Sequence, residues 1–146
     1  MTALPNSAIA LVGELVENFA FLMPNGTCAA PPPGTWDVVL AVDYRKIGSG
    51  DQGRILIALT AGPAAEAARN ILGLDPGVPV DAASRRDAAS ELANIIAGNL
   101  LPHLLGDGEG FDLGQPIALP LREAVLDLSI DLGDGVLGIS VESLPA

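Results

Sequence analysis

The chain has 146 residues, 49% of them hydrophobic, 17% charged and 3% aromatic. That is enough for one domain with an aliphatic core, and it excludes global disorder. Seven Lys and Arg against eighteen Asp and Glu leave a formal net charge of -11, so the basic footprint needed for nucleic acid or an anionic membrane surface is missing.

One cysteine, Cys28, allows no disulfide within the chain and no Cys-based zinc site. One histidine, His103, argues against His-rich metal sites and a Ser-His-Asp triad. The N-terminal segment lacks the basic start of a signal peptide and carries Glu14 and Glu17 inside its apolar run. No uncharged apolar stretch of about 18 residues occurs. The expected location is the cytoplasm.

Ser7 to Met23 reads as a helix capped by Asn6 or Ser7, with Leu11, Leu15, Phe19 and Leu22 on one stripe. Pro24-Asn25-Gly26 ends it, and Pro31-Pro32-Pro33-Gly34 is a short connector. Trp36 to Lys46 and Arg54 to Thr60 read as two strands. Gly62-Pro63 opens a helix over Ala64 to Leu72 that Gly73 closes. Asp81 or Ser84 caps a longer helix ending near Leu105. Three strands follow, Gln115 to Leu121, Ala124 to Leu132 and Val136 to Glu142, the last two joined by a turn at Gly133-Asp134-Gly135. The order α-β-β-α-α-β-β-β predicts a single α+β domain, an antiparallel-rich sheet with helices packed on one face.

Several local patterns carry no chemistry. Gly48 to Gly53 spells G-x-G-x-x-G, but a dinucleotide site needs a helix after that loop and here a strand follows. Asp107, Glu109 and Asp112 lack the ligand spacing of a calcium loop. Cys28 has no basic neighbour to activate it. Trp36 and Tyr44 read as packing residues. No metal site of the chain's own is expected.

The informative segment is Asp87 to His103. With Asp87 at 0° and about 100° per residue, Glu91 falls at about 40°, Asn94 at about 340° and Gly98 at about 20°. Leu92, Ile96, Leu100 and His103 fall opposite, at about 140° to 220°. One face is therefore core. The other offers a carboxylate and a carboxamide three residues apart, then a residue with no side chain. Such a pair can pair with a partner's cation and hold a water, although spacing alone also fits an ordinary solvated face.

Asp87-x-x-x-Glu91-x-x-Asn94 fits the signature of the CheC/CheX/FliY chemotaxis phosphatases, and Glu91 to Asn99 resembles the CheX branch most. Pro116 follows Asn94 by 22 residues, one fewer than the family spacing. The likeness extends to Gly53 to Leu59 with the helix after it, and to the closing hairpin Leu126 to Val141. It implies a phosphatase acting on the aspartyl phosphate of a CheY-like receiver, which brings its own Mg²⁺. By that resemblance Asn94 orients the attacking water and Glu91 pairs with the receiver's active-site Lys. Gly98 permits close approach, Asp87 opens the contact face, and Arg85 and Arg86 supply local attraction. Helix one offers Ala10, Glu14 and Glu17 at the corresponding positions, with Asn18 one residue late, and reads as inactive. The resemblance also implies a homodimer paired through the sheets. Two alternatives stay open: a non-catalytic CheC-like module that binds a receiver or another signalling protein, and an unrelated α+β domain with a chance motif.

Overall fold

The structure, a computed structural model, describes residues 4–120, 122 and 124–144. Its centre is the hairpin of β1 (Trp36–Lys46) and β2 (Gln52–Thr60), paired antiparallel with Leu40 opposite Ile57 and Val42 opposite Ile55. The G-x-G-x-x-G stretch is largely the loop of this hairpin and runs into β2, the strand expected after it. β6 (Val136–Leu144) pairs with β2, and β5 (Leu128–Asp131) pairs with β6. On the far side, β3 (Phe111–Leu113) and β4 (Ile117–Ala118) both pair with β1. The six-stranded sheet runs β3-β1-β2-β6-β5, with β4 beside β3 on the same edge and every pairing antiparallel.

α1 (Asn6–Ala20), α2 (Ala61–Leu72) and α3 (Ala82–Leu105) all cover one face of the sheet. There Val12, Leu15 and Val16 of α1 and Leu92, Ile96 and Leu100 of α3 meet Leu40, Ile55, Ile57, Leu137 and Ile139. The opposite face carries a smaller apolar cluster of Trp36, Val39, Ala41, Leu56, Ala58 and Leu126. Leu119 and Ala124 pack onto it, and the Trp36 indole donates to the Ala124 carbonyl at 2.8 Å. Burial on both faces makes β1 and β2 apolar nearly throughout. Gly138 is required there: a Cβ would lie 2.6 Å from the Trp36 ring and 2.7 Å from Leu126.

The structure corrects several local expectations. α1 stops at Ala20, where Phe21 takes a left-handed conformation with φ 55°. Its cap position is Pro5, and neither Asn6 nor Ser7 caps it through a side chain. Its buried row is Ala8, Val12, Val16 and Ala20, which leaves Phe19 49% exposed. α2 begins earlier, at Ala61, while Gly73 closes it as expected with φ 69°. The expected strand over Gln115 to Leu121 becomes β3 and β4. Between them Gly114 donates to the Asp43 carbonyl at 2.8 Å, and Pro116 has no N–H to give a ladder; Leu121 lies outside the described residues. The strand expected from Ala124 starts only at Leu128, because the preceding residues lie over the back of the sheet.

Loop residues cover the β5 edge. The Asn25 and Cys28 amides donate to the Asp131 and Ser129 carbonyls at 2.8 and 2.9 Å, which blunts an otherwise open strand. Among the described residues, no helix is long and apolar enough to cross a membrane.

Candidate functional site on helix α3

α3 starts at Asp81, the first of the two caps the sequence offers. The Asp81 carboxylate accepts from the Ser84 amide at 2.7 Å, and that bond holds its pKa below the ordinary aspartate value. The helix then runs unbroken for 24 residues to Leu105.

Its buried residues come in pairs: Ala88 and Ala89, Leu92 and Ala93, Ile96 and Ala97, Leu100 and Leu101. Each pair repeats after four residues, so the contact follows an i±4 ridge that turns by about 40° per repeat relative to a fixed face. The opposite face remains free. Asp87, Glu91, Asn94 and Gly98 are all exposed, as their spacing predicts. They span about 16 Å of helix at 1.5 Å per residue. None of the three side chains on this stripe has a hydrogen bond or ion pair among the described residues. A Cβ at Gly98 would meet nothing within 4 Å, so packing within the chain places no steric demand for glycine there.

The ridge explains two departures. Arg85 lies on the row leading into Ala89, so its side chain turns inward rather than to a partner. Its guanidinium pairs with Asp37 of β1 at 2.9 Å and donates to the Val80 carbonyl at 2.6 Å. The Asp37 hydrogen bond raises the Arg85 pKa further. Arg86, one position on, is exposed and has no such partner among the described residues. His103 was expected on the core side and is exposed instead. By that turn of the helix the buried row has rotated to Leu100 and Leu101, and the imidazole Nε2 lies 3.0 Å from the Ser7 hydroxyl of α1.

On α1, Glu14, Glu17 and Asn18 are exposed. No carboxamide sits three residues after Glu14, so the α1 face lacks the pair that α3 presents. Cys28 is exposed, and its thiol pKa is raised by partial burial and by the Asp131 carboxylate. Asp112 pairs with Arg45 across β3 and β1 at 3.3 Å. Two residues near the site went unnoticed in the sequence. Asp37 holds Arg85, and Arg122 lies with Arg86 along one groove. Neither carries a local signal, since each lies more than thirty residues in the chain from the arginine it neighbours on α3.

No family model matches the sequence, and no curated protein matches it significantly. Solved structures do match. The chemotaxis protein CheX from Vibrio vulnificus superposes with a TM-score of 0.71 at 19% identity, covering 95% of each chain. The chain has the CheC/CheX fold. A CheC-like superfamily protein from Shewanella sp. PV-4 matches with a TM-score of 0.69 at 16% identity over 96% of both chains. The CheX of a CheX–CheY–BeF₃–Mg²⁺ complex from Borrelia burgdorferi matches at 0.66 and 14%, over 94% of this chain and 96% of that one. The CheC/CheX likeness therefore spans nearly the whole chain, hairpins included.

Proposed function

We propose that this chain is a CheX-like phosphatase that hydrolyses the aspartyl phosphate of a CheY-like receiver in the cytoplasm. The observation that carries the reading is the α3 stripe. Glu91 and Asn94 project from one exposed face, three residues apart, with no side-chain partner among the described residues. A Borrelia burgdorferi CheX of the same fold is found in complex with CheY, BeF₃ and Mg²⁺, which supports a receiver as partner.

The chemistry asks little of the phosphatase. Water attacks phosphorus, the bond from phosphorus to the aspartyl oxygen breaks, and the carboxylate leaves as inorganic phosphate forms. A loose phosphoryl transition state is served mainly by positioning and charge. The Asn94 side-chain oxygen accepts a hydrogen bond from the water and aligns it with phosphorus. The Glu91 carboxylate binds the receiver's active-site Lys and fixes the register. Mg²⁺ comes with the receiver and neutralises charge on the phosphoryl oxygens. Asp87 and Gly98 bound the contact face, and the missing side chain at Gly98 lets the partner backbone come close. Arg86 remains available for docking, whereas Arg85 is held by Asp37.

Phosphate release from a panel of phosphorylated receivers tests this. Faster release with the protein present supports the reading. Tight receiver binding with unchanged release favours a non-catalytic module instead. We further propose a homodimer paired through the sheets; light scattering is expected to give twice the mass of 14.8 kDa, and a monomer at micromolar concentration contradicts it.

A further inference from the structure

Five of the seven basic side chains are already engaged. Arg45, Arg54 and Arg85 pair with Asp112, Asp43 and Asp37, while Lys46 and Arg69 donate to the Leu105 and Val78 carbonyls. The other two, Arg86 and Arg122, are exposed and have no partner among the described residues. Both line the same open groove of about 400 Å³. It lies between the N-terminal turn of α3 and the Ala118 to Pro120 stretch, with Arg85 and Asp37 also in its wall. Since Asp37 and Arg85 neutralise each other, Arg86 and Arg122 are the groove's two cations without an ion-pair partner among the described residues, on a chain of net charge -11.

We infer that this groove receives an acidic segment of the receiver next to its phosphorylated aspartate, an inference that rests on the phosphatase reading. A receiver that holds Mg²⁺ on an aspartyl phosphate must gather carboxylates there, because Mg²⁺ takes oxygen ligands. With Mg²⁺ and the active-site Lys only partly offsetting the ligand carboxylates and the phosphoryl group, that surface stays acidic, and Arg86 and Arg122 offer it two exposed cations. Two arginines suit the task, since a guanidinium fork matches a carboxylate in plane. Position fits as well. Arg86 precedes Asn94 by eight residues, about 12 Å along the helix. An interface of about 800 Å² per partner has a radius of roughly 16 Å, so a receiver centred on Asn94 reaches the Arg86 side of the groove. Charges at the rim of an interface act on encounter rate and salt dependence more than on the step that follows.

The test is steady-state hydrolysis of the phosphorylated receiver by wild type, by Arg86→Gln/Arg122→Gln and by Arg86→Glu/Arg122→Glu, with thermal melts to confirm folding. At low salt the Gln pair is expected to raise KM by roughly fivefold, and the Glu pair by more, with kcat nearly unchanged. The difference should fade near 1 M salt, where the Debye length is about 3 Å. Equal KM for all three proteins at low salt, with wild type active and Asn94→Ala inactive, overturns the groove and spares the phosphatase reading. A wild type that neither binds nor dephosphorylates any receiver overturns both.

Discussion

Removing the Arg85 guanidinium leaves the Asp37 carboxylate, whose side chain is 15% exposed, without its cation. Arg85→Gln is therefore expected to lower stability by about 1–3 kcal/mol, the cost of a partly buried charge losing its hydrogen bonds. Chemical denaturation measures this, and a loss comparable to that of Arg86→Gln would contradict the pairing. Asp81 gives a pH-dependent counterpart. Its folded pKa lies below the ordinary aspartate value, so its contribution is complete above that value. The contribution is lost as pH falls through the folded value. The stability gap between wild type and Asp81→Ala should accordingly close as the solution is acidified below the ordinary aspartate range. A gap that stays constant through that range contradicts the cap. Exposure of Asp87, Glu91 and Asn94 was legible in the sequence because helical spacing alone puts them opposite Leu92 and Ile96. The Arg85 contact was not, because it depends on where β1 lies, 48 residues earlier in the chain.

At the scale of elements, α3 was legible to within one turn: Asp81, one of two candidate caps, starts it, and Gly106 follows its last residue. What periodicity missed was the drift of its buried row. An ideal wheel keeps one face inward, whereas packing along i±4 ridges rotates the inward face as the helix proceeds. That rotation put His103 outside, whereas Arg85, at about 160° on the same wheel, falls on the core side without it. The strands after α3 were less legible because Gly114 and Pro116 interrupt pairing, and because Leu119, Ala124 and Leu126 pack onto the back of the sheet. Gly98 belongs to this scale too. Pro102 sits inside the helix and has no N–H for the Gly98 carbonyl four residues back. A Cβ at position 98 nonetheless meets open space. Gly98→Ala should raise helix stability by about 0.5–1 kcal/mol and weaken receiver binding. Thermal melts and titration with a phosphorylated receiver check the two halves separately. Unchanged binding for both Gly98→Ala and Gly98→Leu would remove the close approach and leave the glycine as a helix feature beside Pro102.

Over the whole molecule, one sheet separates two unequal cores. Among the described residues, three helices cover one face, and Leu119, Ala124 and Leu126 cover part of the other. α1 and α3 thus lie side by side on the helical face, each with two exposed polar side chains three residues apart, but only α3 combines a carboxylate with a carboxamide. The fold, shared with CheX and CheC-like structures at 14–19% identity, fixes where that helix stands and leaves its chemistry to a few side chains. Both side chains are exposed, so replacing either should change stability by less than about 0.5 kcal/mol. The direct measurement is single-turnover decay of a phosphorylated receiver at matched folded concentrations of wild type, Asn94→Ala, Glu91→Ala and Glu17→Ala. With Asn94 as the group that aligns the water, decay is expected to be fast with wild type and Glu17→Ala, slower and with weaker binding for Glu91→Ala, and at the receiver's own rate with Asn94→Ala. Full activity of Asn94→Ala would contradict that role, and loss of activity in a folded Glu17→Ala would move the site to α1.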